Sequence, residues 1–345
     1  MTARPPKMVA FGELMMRLNP PGHERIVQTS EFEVRFTGGE ANAAVMLAGL
    51  GFQTYAVARV PGHELGQACI NYLRRFGVNT DFVARGGDHL GIMYLEAGAS
   101  QRGSKVIYDR EHTAMQGMSP AEFDWDAILA DADWFHFSGT APALGENVRR
   151  VLRDGLVAAR QLGVTVSCDL NYRAKLWGTG DAKAVMTELM PFVNVLIGNE
   201  EDVAKVFGIK AEGSDVISGD LQVDSYQKVA EQIAKTFELH YVATTLRTSI
   251  SASVNRWAGM LYDGTRHYVS RTYEIHPIVD RVGGGDSFTA GLIYGLVRGF
   301  DRQACVDFAV AASCLKHSIP GDFNLVSLEE VEALLAGDAS GRVQR

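Results

Sequence analysis

In its second half the chain alternates short apolar runs with amphipathic stretches, and this alternation limits the available folds more than any other feature. Residues 134–138, 164–170, 193–197 and 241–246 read as buried strands. Between them, residues 146–162, 182–190 and 200–207 read as helices. Tyr226, Val229, Ala230, Ile233 and Phe237 mark a further helix by their spacing. Such alternation builds an αβα sandwich around a mostly parallel sheet. Ligands of these sheets bind outside the carboxyl ends of the strands, so chemistry is to be sought just after each strand. A hairpin turning at Asp263-Gly264 and helices over 286–298, 302–317 and 328–335 close the chain.

The first third departs from the pattern. Residues 8–12 read as a buried strand that 13–18 continue, and 32–36 alternate apolar and charged as a half-exposed strand does. After Thr37-Gly38-Gly39 comes a helix carrying Ala41, Ala44, Val45 and Ala48 on one face. Residues 91–95 and 105–108 add strands with no helix between them. These surplus strands predict a small second sheet, from about residues 13–37 and 90–111, set as a lid over the site. Ser119-Pro120-Ala121-Glu122 pairs a capping box with Pro at a first helical position, a helix start. Residues 208–221 read as a polar loop. The expectation is one domain over 1–337 with a frayed tail at 338–345.

A net charge of −8 without a basic block argues against nucleic acid and anionic membranes as partners. No apolar run approaches a membrane span, and residues 1–7 lack the apolar core of a secretory leader. Four scattered cysteines, none in a Cys-x-x-Cys pair, fit a reducing compartment. The expected location is cytoplasmic. The nine histidines have no metal-ligand spacing, and no Gly-x-x-x-x-Gly-Lys phosphate loop occurs.

Four post-strand loops concentrate polar and glycine residues: Gly38-Gly39-Glu40-Ala41-Asn42, Asp169 through Trp177, Gly198 through Asp202, and Asp280 through Phe288. In the last, Gly283, Gly284 and Gly285 run into a helix. Each glycine is costly to order and offers an N–H with no side chain in the way. Glycines that open a helix make an anion cradle, and Asp286 stands in its first turn as a carboxylate at the rim. A phosphate cradle with a carboxylate beside it describes a phosphoryl-transfer site. Taken alone, Gly38-Gly39 also fits a plain turn and Asn199 a plain N-cap. Asp169, Asn171 and Arg173 resist such a reading, because polar groups crowd a strand end where burial is costly.

Asp280-Arg281-Val282-Gly283-Gly284-Gly285-Asp286 resembles the Asp-x-x-Gly-Ala-Gly-Asp motif of the ribokinase/PfkB carbohydrate kinases, with Gly284 where that family has Ala. Gly38-Gly39-x-x-Asn42 resembles that family's first motif, and Asn199 to Asp202 its Asn-x-x-Glu motif with Asp in the last place. Within the family, Asp169-Leu170-Asn171-Tyr172-Arg173, Leu176-Trp177, Tyr108-Asp109-Arg110 and Pro320-Gly321-Asp322 look like the 2-keto-3-deoxygluconate kinases. The resemblance implies a ribokinase-like fold with a β-lid, and ATP and Mg²⁺ as cofactors. It implies phosphate transfer to the terminal hydroxyl of a sugar acid, giving a 6-phosphate. It also implies Asp286 as general base and Gly283, Gly284 and Gly285 as the anion hole. Gly39, Asn42, Tyr94, Tyr108, Arg110, Arg173 and Asp322 would contact the sugar acid, with Arg110 and Arg173 converging on its carboxylate. Asn171 and Asn199 would serve the nucleotide phosphates, and Asp202 would hold magnesium through water. Monovalent-ion dependence and assembly of copies through the lid stay open. So do two other readings: a kinase of a neutral sugar such as fructose or ribose, and an inactive sugar-binding relative.

Overall fold

A computed structural model of the chain describes residues 4–209 and 223–338. In chain order the strands and helices begin β1 (Lys7–Phe11), β2 (Met15–Asn19), β3 (Glu33–Thr37), α1 (Gly39–Gly49), β4 (Gln53–Val60), α2 (Glu64–Arg75), β5 (Val83–Arg85), β6 (Ile92–Glu96) and β7 (Lys105–Asp109). The middle of the chain holds α3 (Trp125–Leu129), β8 (Trp134–Ser138), α4 (Thr140–Ala143), α5 (Glu146–Leu162), β9 (Thr165–Asp169), α6 (Thr179–Leu189), β10 (Val195–Gly198) and α7 (Glu200–Phe207). The remainder is α8 (Val223–Phe237), β11 (Tyr241–Ser249), β12 (Asn255–Tyr262), β13 (His267–Val269), β14 (Tyr273–Ile275), α9 (Gly284–Val297), α10 (Arg302–Lys316) and α11 (Leu328–Leu335).

Among the described residues, ten strands form one sheet in the order β13-β12-β11-β10-β9-β8-β1-β4-β5, with β14 beside β12. From β11 to β5 every pairing is parallel, and β12 begins the antiparallel edge. The apolar runs explain the arrangement. Strands β1 and β8 are buried at every position, as strands covered on both faces must be. His136, in the middle of β8, is satisfied by Ser167 Oγ at 2.8 Å. The four cysteines are unpaired.

Strands β3, β2, β6 and β7 form a separate four-stranded sheet in that order. Residues 13–18 therefore do not continue β1; the chain turns after Phe11 and β2 leaves for the small sheet. Strand β2 carries Arg17, whose guanidinium reaches the carboxylates of Asp280 and Asp322. The capping box at Ser119 also falls short of a long helix. Glu122 Oε2 accepts from the Ser119 N–H at 2.7 Å, but only a single turn follows, Pro120–Glu122. Phe123 is extended, stacks on Trp125, and a fresh N-cap at Asp124 starts α3. The polar loop expected at 208–221 falls mostly, and the tail at 338–345 almost wholly, outside the described residues.

Helices α9 and α10 pack closely because Gly291 faces Ala309; a Cβ on Gly291 would lie 2.7 Å from the Ala309 Cα. Gly291→Ala gains helix propensity of about 1 kcal/mol but forces the two backbones apart. The net expectation is a loss of about 1–2 kcal/mol, read as a lower urea midpoint with an unchanged slope.

Candidate active site

A cleft of about 950 Å³ opens between the small sheet and the carboxyl ends of β9, β10 and β11. Of the residues expected there, Gly39, Asn42, Tyr108, Arg110, Asn171, Arg173, Asn199, Asp202, Gly283, Gly284, Gly285, Asp286 and Asp322 line it. Tyr94 does not. Side chains alternate along β6, so Met93 faces the cleft with its cross-strand partner Tyr108. Tyr94 takes the opposite face, its ring 6.0 Å from that of Phe32.

Asp286 lies in the first turn of α9. Asn42 Nδ2 donates to its Oδ2 at 2.6 Å, and a side chain begun at Gly39 would start 3.5 Å from its Oδ1. Burial, opposed by the Asn42 bond and reinforced by the negative Glu40 and Asp322, pushes its pKa up to about 7. A carboxyl so poised can take a proton near neutral pH. Gly283 caps the helix at φ +83°, and a Cβ there would lie 2.0 Å from the Asp322 carbonyl oxygen. Only glycine fits, so the turn that aims these N–H groups is locked against the Asp322 loop.

At the other end of the cleft, Asn199 caps α7, accepting from the Asp202 N–H at 2.8 Å. Burial raises Asp202 to about 6. Burial, then the nearby Asp286 and Asp202, raise Asp169 well above the usual carboxylate range. Arg173 offsets all three of these carboxylates. Its guanidinium makes only a 3.4 Å bond to the Tyr172 carbonyl among the described residues. Arg110 differs. It is ion-paired with Glu13, both nearly buried, and lies over the Tyr108 ring at 5.2 Å. Its Nε is buried with no partner among the described residues. The two arginines are thus unequal, one neutralised from below and one uncommitted.

Asp322 has a task the sequence did not disclose. One oxygen accepts from the Thr37 hydroxyl and the other from Arg17, which also reaches Asp280 at 2.6 Å. Arg17 and Glu13 went unnoticed because each stands alone among apolar neighbours, with no motif around it; Glu40 stood inside the Gly38-Gly39 motif with no role assigned to it. Glu40 is buried and accepts from the Ser138 N–H at 3.0 Å and hydroxyl at 2.5 Å. At the far tip of the small sheet, the Ser100 N–H donates to Ser253 Oγ at 3.1 Å and its carbonyl accepts from the Ala252 N–H at 2.8 Å.

Residues 5–324 match the model of the pfkB family carbohydrate kinases. The chain belongs to that family. The crystal structure of 2-dehydro-3-deoxygluconokinase from Thermotoga maritima is 50% identical, with a TM-score of 0.93, and covers 98% of this chain and 100% of its own. The 2-dehydro-3-deoxygalactonokinase of Haloferax volcanii is 31% identical over 97% of this chain and 98% of its own. A protein from Escherichia coli, solved as a ribokinase II with ATP and Mg²⁺, is 16% identical over 96% of this chain and 99% of its own, at a TM-score of 0.78; it shares the fold. The pfkB assignment makes this a sugar kinase with a ribokinase-like fold.

Two measurements check Asp286. Asp286→Asn should lower kcat at least about 100-fold, and wild-type kcat/KM should fall as pH drops below about 7, where the base is protonated. The folded pKa is raised, so the native state holds its proton more tightly than the unfolded chain between about pH 4 and 7, and stability falls as pH rises through that window. Asp286→Asn should therefore melt higher than wild type at pH 8, with the gain vanishing near pH 4.

Proposed function

We propose that the protein is an ATP-dependent sugar-acid kinase that phosphorylates the terminal hydroxyl of 2-keto-3-deoxygluconate to give the 6-phosphate. The observation that carries this is Arg173: an uncommitted guanidinium facing the cleft, beside a base poised near neutrality. A carboxylate substrate would take a charge-assisted fork from it, whereas a neutral sugar would leave it unmatched. The kinship with the Thermotoga and Haloferax enzymes supports a 2-keto-3-deoxy acid.

Asp286 accepts the proton of the attacking hydroxyl, and the N–H groups of Gly283, Gly284 and Gly285 receive the charge that builds on the moving phosphoryl group. Asn42 orients the base. Tyr108 and Gly39 bound the sugar site, and Arg110 presents its unpartnered Nε there. Asn171 and Asn199 face the phosphates. Magnesium fits the carboxylates at the α7 end. Burial, with Asp286 and Asp202 nearby, raises Asp169; burial, with Glu201 nearby, raises Asp202; a divalent cation would relieve both. No group of three or more metal-ligating side chains occurs among the described residues, which suits an ion held largely by phosphate oxygens and water, Asp202 among its neighbours. When bound, the ion neutralises phosphate charge.

The small sheet acts as a lid whose closure expels water. Its outer face carries the cross-strand row Val34, Leu18, Tyr94 and Ile107, with Val34 and Ile107 more than half exposed. Such a row suits contact with a second copy, and Val34→Glu with Ile107→Glu should lower the mass measured by light scattering if copies join there. The reducing cytoplasm fits the unpaired cysteines and supplies ATP.

A coupled assay over the gluconate- and galactonate-derived keto acids, fructose and ribose, with and without potassium, tests the substrate. Wild type should favour a keto acid. Arg173→Leu should raise KM for the acid by roughly tenfold to a hundredfold, leave KM for ATP nearly unchanged, and narrow the preference over neutral sugars. A wild type that prefers fructose sinks the acid reading.

A further inference from the structure

Strand β8 ends beside a pair of hydroxyls that the phosphoryl-transfer reading leaves unused. Ser138, its last residue, is buried, and Thr140, two positions on, lines the cleft. The turn between them is held tightly. The Gly139 N–H donates to the Asp169 carbonyl at 2.8 Å, and a Cβ on Gly139 would lie 2.2 Å from the Leu170 carbonyl oxygen. Next to Ser138 is the buried Glu40, whose carboxyl group occupies the space left by Gly12; a Cβ there would fall 1.9 Å from Oε2. Glu40 Oε1 accepts from both the N–H and the hydroxyl of Ser138, at 3.0 and 2.5 Å. That commits the one hydroxyl hydrogen Ser138 has. Ser138 Oγ and Thr140 Oγ1 lie 2.7 Å apart, so the hydrogen between them comes from Thr140. Ser138 Oγ also accepts from the Thr140 N–H at 3.3 Å. With its hydrogen spent inward, the Thr140 hydroxyl has only lone pairs left to offer the cleft. Because the Ser138 N–H points at the same Glu40 oxygen, that oxygen stays an acceptor and the chain does not reverse.

We infer that Thr140 is a specificity residue that accepts a hydrogen bond from a secondary hydroxyl of the sugar acid, with Ser138 and Glu40 as positioning residues that fix its polarity. The inference rests on the kinase reading above and adds residues to which that reading gives no part. The ligand chemistry follows from the polarity. A lone-pair acceptor is repelled by carboxylate, phosphate and keto oxygens, so among the oxygens of a sugar acid only a hydroxyl matches it. The terminal hydroxyl gives its proton to Asp286, which leaves a secondary hydroxyl for Thr140.

The test compares KM for 2-keto-3-deoxygluconate, for its analogues lacking the C4 or the C5 hydroxyl, and for ATP. Thr140→Val keeps the shape and loses the oxygen. It should raise KM for the intact acid about three- to tenfold, the size of one neutral hydrogen bond, and leave KM for ATP within about twofold. Thr140→Ser keeps the hydroxyl and should stay close to wild type. Against one of the two analogues, wild type and Thr140→Val should have equal KM, because the partner is already gone. Ser138→Ala releases the Thr140 hydrogen and should weaken the intact acid in the same direction, again without moving KM for ATP. The inference is overturned if Thr140→Val or Ser138→Ala leaves KM for the acid unchanged, or if Thr140→Ser is as weak as Thr140→Val. It is equally overturned if Thr140→Val costs the intact acid and both analogues the same factor. In each of these cases turnover of the acid by wild type keeps the kinase reading. If wild type phosphorylates no sugar acid at all, both fall.

Discussion

The architecture depends on one buried guanidinium. Arg17, 4% exposed, stands on a strand of the small sheet and reaches two carboxylates of the core, Asp280 and Asp322, themselves nearly buried. Lys316 lies beneath, fully buried, donating to the carbonyls of Asp280 and Ile319 at 3.1 and 3.2 Å. Two cations and two anions make a neutral cluster, which is how charge can be tolerated at such depth. Removing a partner from a cluster of this kind costs about 3–5 kcal/mol, because a charge is left stranded. The geometry matters as much as the energy. Asp280 begins the turn that ends in the glycine cradle, and Asp322 belongs to the loop against which Gly283 is locked. The cradle and the small sheet are therefore referred to a single point.

From that point the cleft is electrically sorted. Glu40 lies buried and Asp286 half-buried at its floor, Asp169 and Asp202 face the α7 end, and the uncommitted guanidinium of Arg173 lies near the three aspartates. The raised carboxyl groups record burial first and neighbouring negative charge second, with Arg173 opposing both. A phosphorylated ligand with its cation fits such a field, since it brings both signs together.

Much of this was legible in the chain. Strand–helix alternation announced the parallel sheet, and the surplus early strands announced a second one. The glycine run disclosed its helix N-terminus and the carboxylate beside it. What escaped had physical causes. The side of β6 on which Tyr94 emerges is a matter of register, and a single-residue change of phase reverses it. Arg17 and Glu13 are solitary charges in apolar surroundings, and nothing local tells a solvated residue from one paired across hundreds of positions. Asn199 satisfies both readings open to it, as cap and as cleft lining.

The two ends of the small sheet are fastened very unequally. Near β2 it is anchored by ion pairs shut away from water. At the tip it rests on the β11–β12 turn through the Ser100 contacts, a pair of exposed hydrogen bonds worth about 1 kcal/mol each. Under the lid reading, such a plate works as a door with a heavy hinge and a light latch. Exposed hydrogen bonds give way before buried ion pairs, so that reading puts ligand traffic on the Ser100 side. On the same reading the hinge, with Glu13 and Thr37 in the cleft wall beside it, holds its alignment while the tip moves.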